Sequence, residues 1–172
     1  MDFAIRKAAP YDAAAIAHVQ VSSWRTTYPG IVPDAYLAEL NEDKFRQHWH
    51  QHLSAGELLL FVAEDARGVF GFITGGRLRE PIEDYDAELY AIYLLADRQA
   101  RGAGRGLTRT LAASLKAAGF ISMVVWALEQ NPAVGFYQRL GAAPVLRKTI
   151  QIGGADLLDL ALGWPDLDRL TP

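Results

Sequence analysis

Leu107, Leu111 and Leu115 recur every four residues, and this spacing predicts an amphipathic helix over 105–118. A nearly continuous apolar run, Ala87 to Leu95, stands before it and reads as a buried strand, interrupted by Glu88. Upstream, Phe3 to Lys7 alternates and predicts a short strand. Pro10 and Asp12 open a helix carrying Ile16, Val19 and Trp24 to about Arg25, which Pro29-Gly30 breaks. Pro33-Asp34 start a short helix with Tyr36, Leu37 and Leu40, and Asn41 can cap a third bearing Phe45 and Trp49. Leu58–Glu64 and Val69–Leu78 form a hairpin about a turn at 65–68, with Gly71, Gly75 and Gly76 as candidate bulges. Downstream come a strand over Ile121–Leu128, a helix over Pro132–Leu140 with proline in its first turn, and a closing hairpin, Val145–Ile152 with Ala155–Leu162. The strand–helix–strand unit from Ala87 to Leu128 should be parallel and right-handed. The other strands succeed one another as hairpins. The expected fold is therefore α+β, a mixed central sheet flanked by helices in three layers, as one domain spanning 1–172.

The junction between central strand and main helix carries the chemistry. It reads Gln99-Ala100-Arg101-Gly102-Ala103-Gly104-Arg105-Gly106. Gly102 and Gly104 allow close approach of backbone to a ligand, and the helix after them offers unpaired N–H groups and a positive dipole end. Arg101 and Arg105 add charge, so the turn suits a phosphate or pyrophosphate. A P-loop would need Gly-Lys-Ser/Thr where Arg105-Gly106-Leu107 stands. A dinucleotide turn is closer, but its third glycine comes one residue early and the motif sits far from the start of the chain. An ordinary strand-to-helix turn is the bland alternative for this stretch taken alone.

Further on lie Asn131-Pro132 and Phe136-Tyr137-Gln138-Arg139-Leu140-Gly141. Together the two segments resemble the GNAT superfamily of acyl-CoA-dependent N-acyltransferases. Gln99, Gly102 and Gly104 match its Gln/Arg-x-x-Gly-x-Gly/Ala motif, and Asn131, Phe136, Tyr137 and Gly141 match its second segment in order and spacing. The opening, Val21-Ser22-Ser23-Trp24-Arg25 with Tyr28 and Gly30, and the end, Ile152-Gly153-Gly154 to Gly163-Trp164, look like the corresponding parts of small-molecule members. Ala96, Ala100 and Ala103 depart from the commoner proline, glycine and larger aliphatic residue, but the turn works through backbone N–H groups.

The resemblance implies a GNAT fold with two splayed parallel strands and acetyl-CoA as co-substrate. Cofactor contacts would come from the backbone of Ile92, Tyr93 and Leu94, from Gln99, Arg101, Gly102, Ala103, Gly104, Arg105 and Gly106, and from Asn131. The last is also placed to cap the helix after it. Tyr137 matches the phenol that protonates the departing thiolate in many relatives, against a simple core aromatic. Glu88, six residues before Leu94, stands where the family's histone-modifying members place a catalytic glutamate, against a plain strand start. Trp24 and Tyr28 fall where relatives line the acceptor cleft. An amine of pKa about 10.4 is neutral in only about one part in 2,500 at pH 7, a cost of about 4.6 kcal/mol, so a base or desolvating pocket helps.

The formal net charge of −3 and the lack of a basic block argue against a nucleic-acid partner. With no cysteine there is no thiolate nucleophile, disulfide or Cys-based metal site. His48 and His52 share a helical face, but no third ligand is placed beside them, so no metal is expected. The start lacks a signal-peptide core and Leu58–Ala63 is too short to span a bilayer, so a cytoplasmic protein without a membrane partner is expected. Glu80, Glu83, Asp84, Asp86 and Glu88 form an acidic stretch that either steers cationic amines or is simply solvated. The expected reaction is direct acetyl transfer to a primary amine of a small molecule or peptide. A non-catalytic acyl-CoA-binding sensor and a dinucleotide-dependent oxidoreductase are the rivals. Relatives are often dimers, which makes a homodimer an expectation.

Overall fold

The computed structural model describes residues 3–56 and 58–170. In chain order its elements are β1 (Ala4–Lys7), α1 (Ala13–Thr27), α2 (Asp34–Ala38), α3 (Glu42–Ala55), β2 (Leu59–Asp65), β3 (Gly68–Arg77), β4 (Ala87–Leu94), α4 (Ala103–Ala117), β5 (Met123–Leu128), α5 (Ala133–Arg139), β6 (Ala143–Ile152) and β7 (Ala155–Trp164). The strands make one sheet in the order β1-β2-β3-β4-β5-β7-β6. Every neighbouring pair is antiparallel except β4 and β5, which α4 connects as a parallel crossover. The mixed sheet and the expected order of elements are both present.

Apolar spacing explains the layers. Leu107, Leu111 and Leu115 of α4 are fully buried and pack with Ile73, Leu89, Met123, Leu162 and Trp164 on one face of the sheet. On the other face, Ile16 and Val19 of α1 and Trp49 of α3 cover Leu60, Val62 and Phe72. A third cluster on that second face joins Tyr28, Val32 and Leu37 to Leu128 at the end of β5. Asn41 caps α3 as expected, its side chain accepting from Lys44 N–H at 3.0 Å.

Boundaries shift where local bonding wins over pattern. Helix α4 starts at Ala103, two residues before the expected Arg105, because Gly102 at φ 87° completes the turn and frees the chain to coil at once. Strand β5 starts at Met123 rather than Ile121. The Asp86 carboxylate accepts the N–H groups of Ile121 and Ser122 and the Ser122 hydroxyl, at 2.9–3.0 Å, and so holds those residues outside the ladder. Of the glycines expected to mark bulges, Gly71 and Gly75 flank the register breaks, and the extra residues are Phe70 on β3 and Tyr90 on β4. Among the described residues no helix is long and apolar enough to cross a membrane.

Candidate active site

Strands β4 and β5 pair only at Ala87–Met123, Glu88–Val124 and Leu89–Val125. Beyond Leu89 and Val125 both strands continue, to Leu94 and Leu128, without pairing each other. The bulge at Tyr90 bends β4 away at this point. The result is a wedge-shaped gap with strand backbone on both sides. Leu95 N–H donates to Phe70 O on the β3 side at 2.9 Å. Successive N–H groups of a strand alternate in direction, so the N–H of Leu94 points the other way, into the gap. The Leu94 carbonyl accepts from Ser23 Oγ at 3.1 Å and Gln99 Nε2 at 3.2 Å, which ties α1 and the following turn to the strand end.

The turn itself is shaped for an anion. Ala100 and Gly102 both adopt left-handed backbone, at φ 60° and 87°. The first α4 bond runs from Gly106 N–H to Gly102 O at 3.0 Å, so the amides of Ala103, Gly104 and Arg105 precede the helix's own donors. Arg101 and Arg105 are exposed at this mouth. A Cβ on Gly104 would lie 3.2 Å from the Phe136 ring, so glycine lets α4 meet α5 closely. Arg98, largely buried, anchors the turn through ion pairs to Asp65 and Asp97. A left-handed alanine costs about 1 kcal/mol. Ala100→Gly should therefore stabilise the protein by about 0.5–1 kcal/mol in urea unfolding, with the turn's amides left in place.

Across the open end of the gap, aromatic hydroxyls converge. Trp24 Nε1 donates to the Tyr93 hydroxyl at 2.9 Å, and Asn131 Nδ2 donates to the Tyr28 hydroxyl at 3.0 Å. The Trp24 and Tyr28 rings stand 4.6 Å apart. Asn131 also accepts the Ala133 N–H at 2.8 Å, so it caps the first turn of α5 while reaching α1. Tyr137 projects from α5, is 5% exposed, and packs edge-on against Trp164. Burial raises the Tyr137 phenol, and the neighbouring Tyr93 adds to it, so it keeps its proton at neutral pH. Tyr28 is raised by burial too, with Tyr93, Tyr137 and Asp159 in its field.

Glu88 sits at the closed end of the gap, 2% exposed. Arg79 engages it throughout: Nε and Nη2 donate to Oε1, and the Arg79 backbone N–H donates to Oε2 at 3.2 Å. Three members of the acidic stretch are engaged, while Glu83 and Asp84 are exposed. Asp86 is engaged at the start of β5, Glu80 pairs with Lys148 at 2.6 Å, and Glu88 pairs with Arg79. His48 and His52 lie with rings 4.4 Å apart, and among the described residues no group of three His, Cys, Asp or Glu could hold a metal ion.

Residues 18–142 match the sequence pattern described as the Acetyltransferase (GNAT) family. The chain belongs to the GNAT acetyltransferases. It is 46% identical over 167 residues to YuaI, an uncharacterized N-acetyltransferase of Bacillus subtilis, covering 96% of this chain and 95% of that protein. Solved GNAT structures share the fold. YncA from Salmonella typhimurium, with its cofactor acetyl-CoA, superposes with a TM-score of 0.74 at 21% identity, over 98% of this chain and 95% of that one. The PaiA N-acetyltransferase of Thermoplasma acidophilum, in complex with coenzyme A, gives 0.66 at 21% identity, over 93% and 98%.

Within this GNAT fold the structure brings Trp24, Tyr28, Tyr93, Asn131 and Tyr137 together and leaves Glu88 apart under Arg79. Sequence reasoning missed Arg79, Arg98 and Asp159. Only Asp159 carries a signal: an acid set inside Leu157-Leu158-Asp159-Leu160-Ala161-Leu162.

Proposed function

We propose that this chain transfers an acetyl group from acetyl-CoA directly to a primary amine. The observation that carries the reading is the backbone gap between β4 and β5, with the unpaired first amides of α4 following one strand and a buried, protonated phenol on α5 following the other. The residues fit the coenzyme. The amides of Ala103, Gly104 and Arg105, on the turn that Gly102 closes, would take the diphosphate, assisted by Arg101 and Arg105, while Gly106 makes room for Ile5 of β1 against α4. The open edge over Ile92, Tyr93 and Leu94 would pair with the pantetheine amides, together with Asn131, while Gln99 braces Leu94.

The roles follow from charge. Leu94 N–H, aimed into the gap, would meet the thioester oxygen as negative charge grows there. Tyr137 would hand its proton to the departing sulfur. Its raised phenol gives that proton up only as the thiolate, equally desolvated, becomes a strong base. Glu88 would help remove the amine proton through a water, because Arg79 blocks direct contact while Oε2 keeps a lone pair free. Trp24 and Tyr28 would flank the acceptor.

The test pairs calorimetry of acetyl-CoA binding with thiol release in the presence of primary amines. Micromolar to millimolar binding with amine-dependent release is expected. Binding with silence across all amines would favour the non-catalytic sensor. Glu88→Gln should lower kcat about 10-fold or more while acetyl-CoA affinity stays within about 2-fold; an unchanged kcat would remove Glu88 from the proton path.

A further inference from the structure

Asp159 is a buried carboxylate that the roles above leave idle. It sits on β7 opposite Leu128 of β5 and Lys148 of β6. Directly paired residues project to the same face of a sheet. Two residues along each strand, Trp126 pairs with Ala161, and two further on Val124 pairs with Gly163 and with Glu88. Glu88, Trp126 and Asp159 therefore share one face, with Glu88 at the closed end of the gap and Asp159 at its open end. That face is the one Tyr28 covers, since Leu128 packs in the Tyr28 cluster.

Asp159 is 8% exposed, and among the described residues no ion pair reaches it. Its obvious partner is turned elsewhere. Lys148 gives its ammonium to Glu80 at 2.6 Å and lies 4.2 Å over the Trp126 ring. The next cation, Arg79, is held by Glu88. The Leu160 N–H is the backbone donor to the Asp159 carboxylate. A buried carboxylate without a cation is costly, and one that persists at the mouth of a binding gap points to a cation arriving from outside. The surrounding charges are Lys148, Arg79 and Glu88, with Tyr28 from α1 and Glu80 from the loop after β3. Burial lifts the carboxyl to about 6, Lys148, Leu160 N–H and Arg79 pull it down, and Glu88 pushes it up.

We propose that Asp159 receives the acceptor as a protonated primary alkylamine at the open end of the gap and takes its ammonium proton before attack. This rests on the acetyl-transfer reading above and names its acceptor class, a cationic aliphatic amine. Atoms and charge balance through the step. The ammonium proton passes to the carboxylate and on to solvent at the open end of the gap. The water-mediated role of Glu88 applies to the proton that the nitrogen sheds after attack, on its way to Tyr137. The freed nitrogen bonds to the thioester carbonyl carbon and the carbon–sulfur bond breaks. Tyr137 gives its proton to the sulfur and regains one from the acylated nitrogen. One proton is released overall.

The test is thiol release from acetyl-CoA with n-butylamine, 1,4-diaminobutane and 1,6-diaminohexane as acceptors, across pH 5–10.5, in the wild type, Asp159→Asn and Asp159→Glu. In the wild type kcat/KM for the amine should rise with a midpoint near pH 6 and stay level to about pH 9, because the ammonium form binds. Asp159→Asn should raise the amine KM at least about 30-fold and leave acetyl-CoA affinity by calorimetry within about 2-fold. Its pH profile should lose the plateau and climb toward the amine's own pKa, about 10.4, because only free base remains productive. Asp159→Glu should restore part of the plateau. An amine KM and pH profile unchanged in Asp159→Asn would overturn the proposal while leaving acetyl transfer standing. Wild-type enzyme that binds acetyl-CoA but releases no thiol with any of the three amines would overturn the acceptor class. Wild-type enzyme that binds no acetyl-CoA would overturn the acetyl-transfer reading, and this proposal with it.

Discussion

Tyr137→Phe should lower kcat by about 10²-fold or more, equivalent to at least about 2.7 kcal/mol, with acetyl-CoA binding by calorimetry nearly unchanged. The phenylalanine keeps the ring that packs on Trp164 and removes only the hydroxyl. Folding is therefore preserved and the loss reports chemistry alone. The proton matters because a thiolate expelled into a desolvated gap cannot wait for water. A retained kcat would remove Tyr137 from the reaction and leave it a core aromatic. The split between kcat and binding is the informative measurement, since a packing defect would weaken both.

Asp159→Asn should make the protein more stable at pH 8, by up to about 3 kcal/mol. The folded carboxyl titrates at about 6 against an ordinary value of 3.8, with burial the main cause. Between those values the native state keeps a proton that the unfolded chain has lost. Stability contributed by that proton is intact below pH 3.8 and falls as pH rises to about 6, after which the whole penalty stands. Each pH unit between the two values costs about 1.4 kcal/mol, which sets the upper limit. Urea unfolding should show the variant well ahead of the wild type at pH 8 and nearly level with it at pH 4. Equal stabilities at both pH values would mean that the carboxylate carries no burial penalty. A residue that weakens the resting fold and is kept for its ligand is a familiar trade between stability and activity.

Much of this was readable in the chain. The four-residue leucine spacing placed α4 on its sheet, and the glycines at 102 and 104 with Arg101 and Arg105 marked the turn that is proposed to take the diphosphate. Gly141 and Asn131 at fixed distances from Tyr137 turned a helix aromatic into a candidate acid. Local chemistry was legible because turns and helix starts are written in consecutive residues. Relations across the sheet were not. Nothing near Glu88 in the sequence announces that Arg79, nine residues earlier, will fold back on it from the loop after β3. Asp86 looked like one more charge in an acidic stretch, and only the return of the chain at Ile121 makes it a cap. Asp159 broke an apolar strand pattern, yet its neighbours Lys148, Leu128 and Tyr28 come from three other segments. Its meaning depends on register, which sequence pattern alone leaves open.

The three residue pairs that join β4 to β5 make that seam the weakest hinge line in the sheet, with β1–β4 on one side and β5–β7 on the other. A pantetheine arm lying in it would behave as a stitched-in strand. Deuterium uptake at Ile92 to Leu94 and at Trp126 to Leu128 would then slow sharply when coenzyme is added, so the molecule would finish its own sheet only while holding its donor.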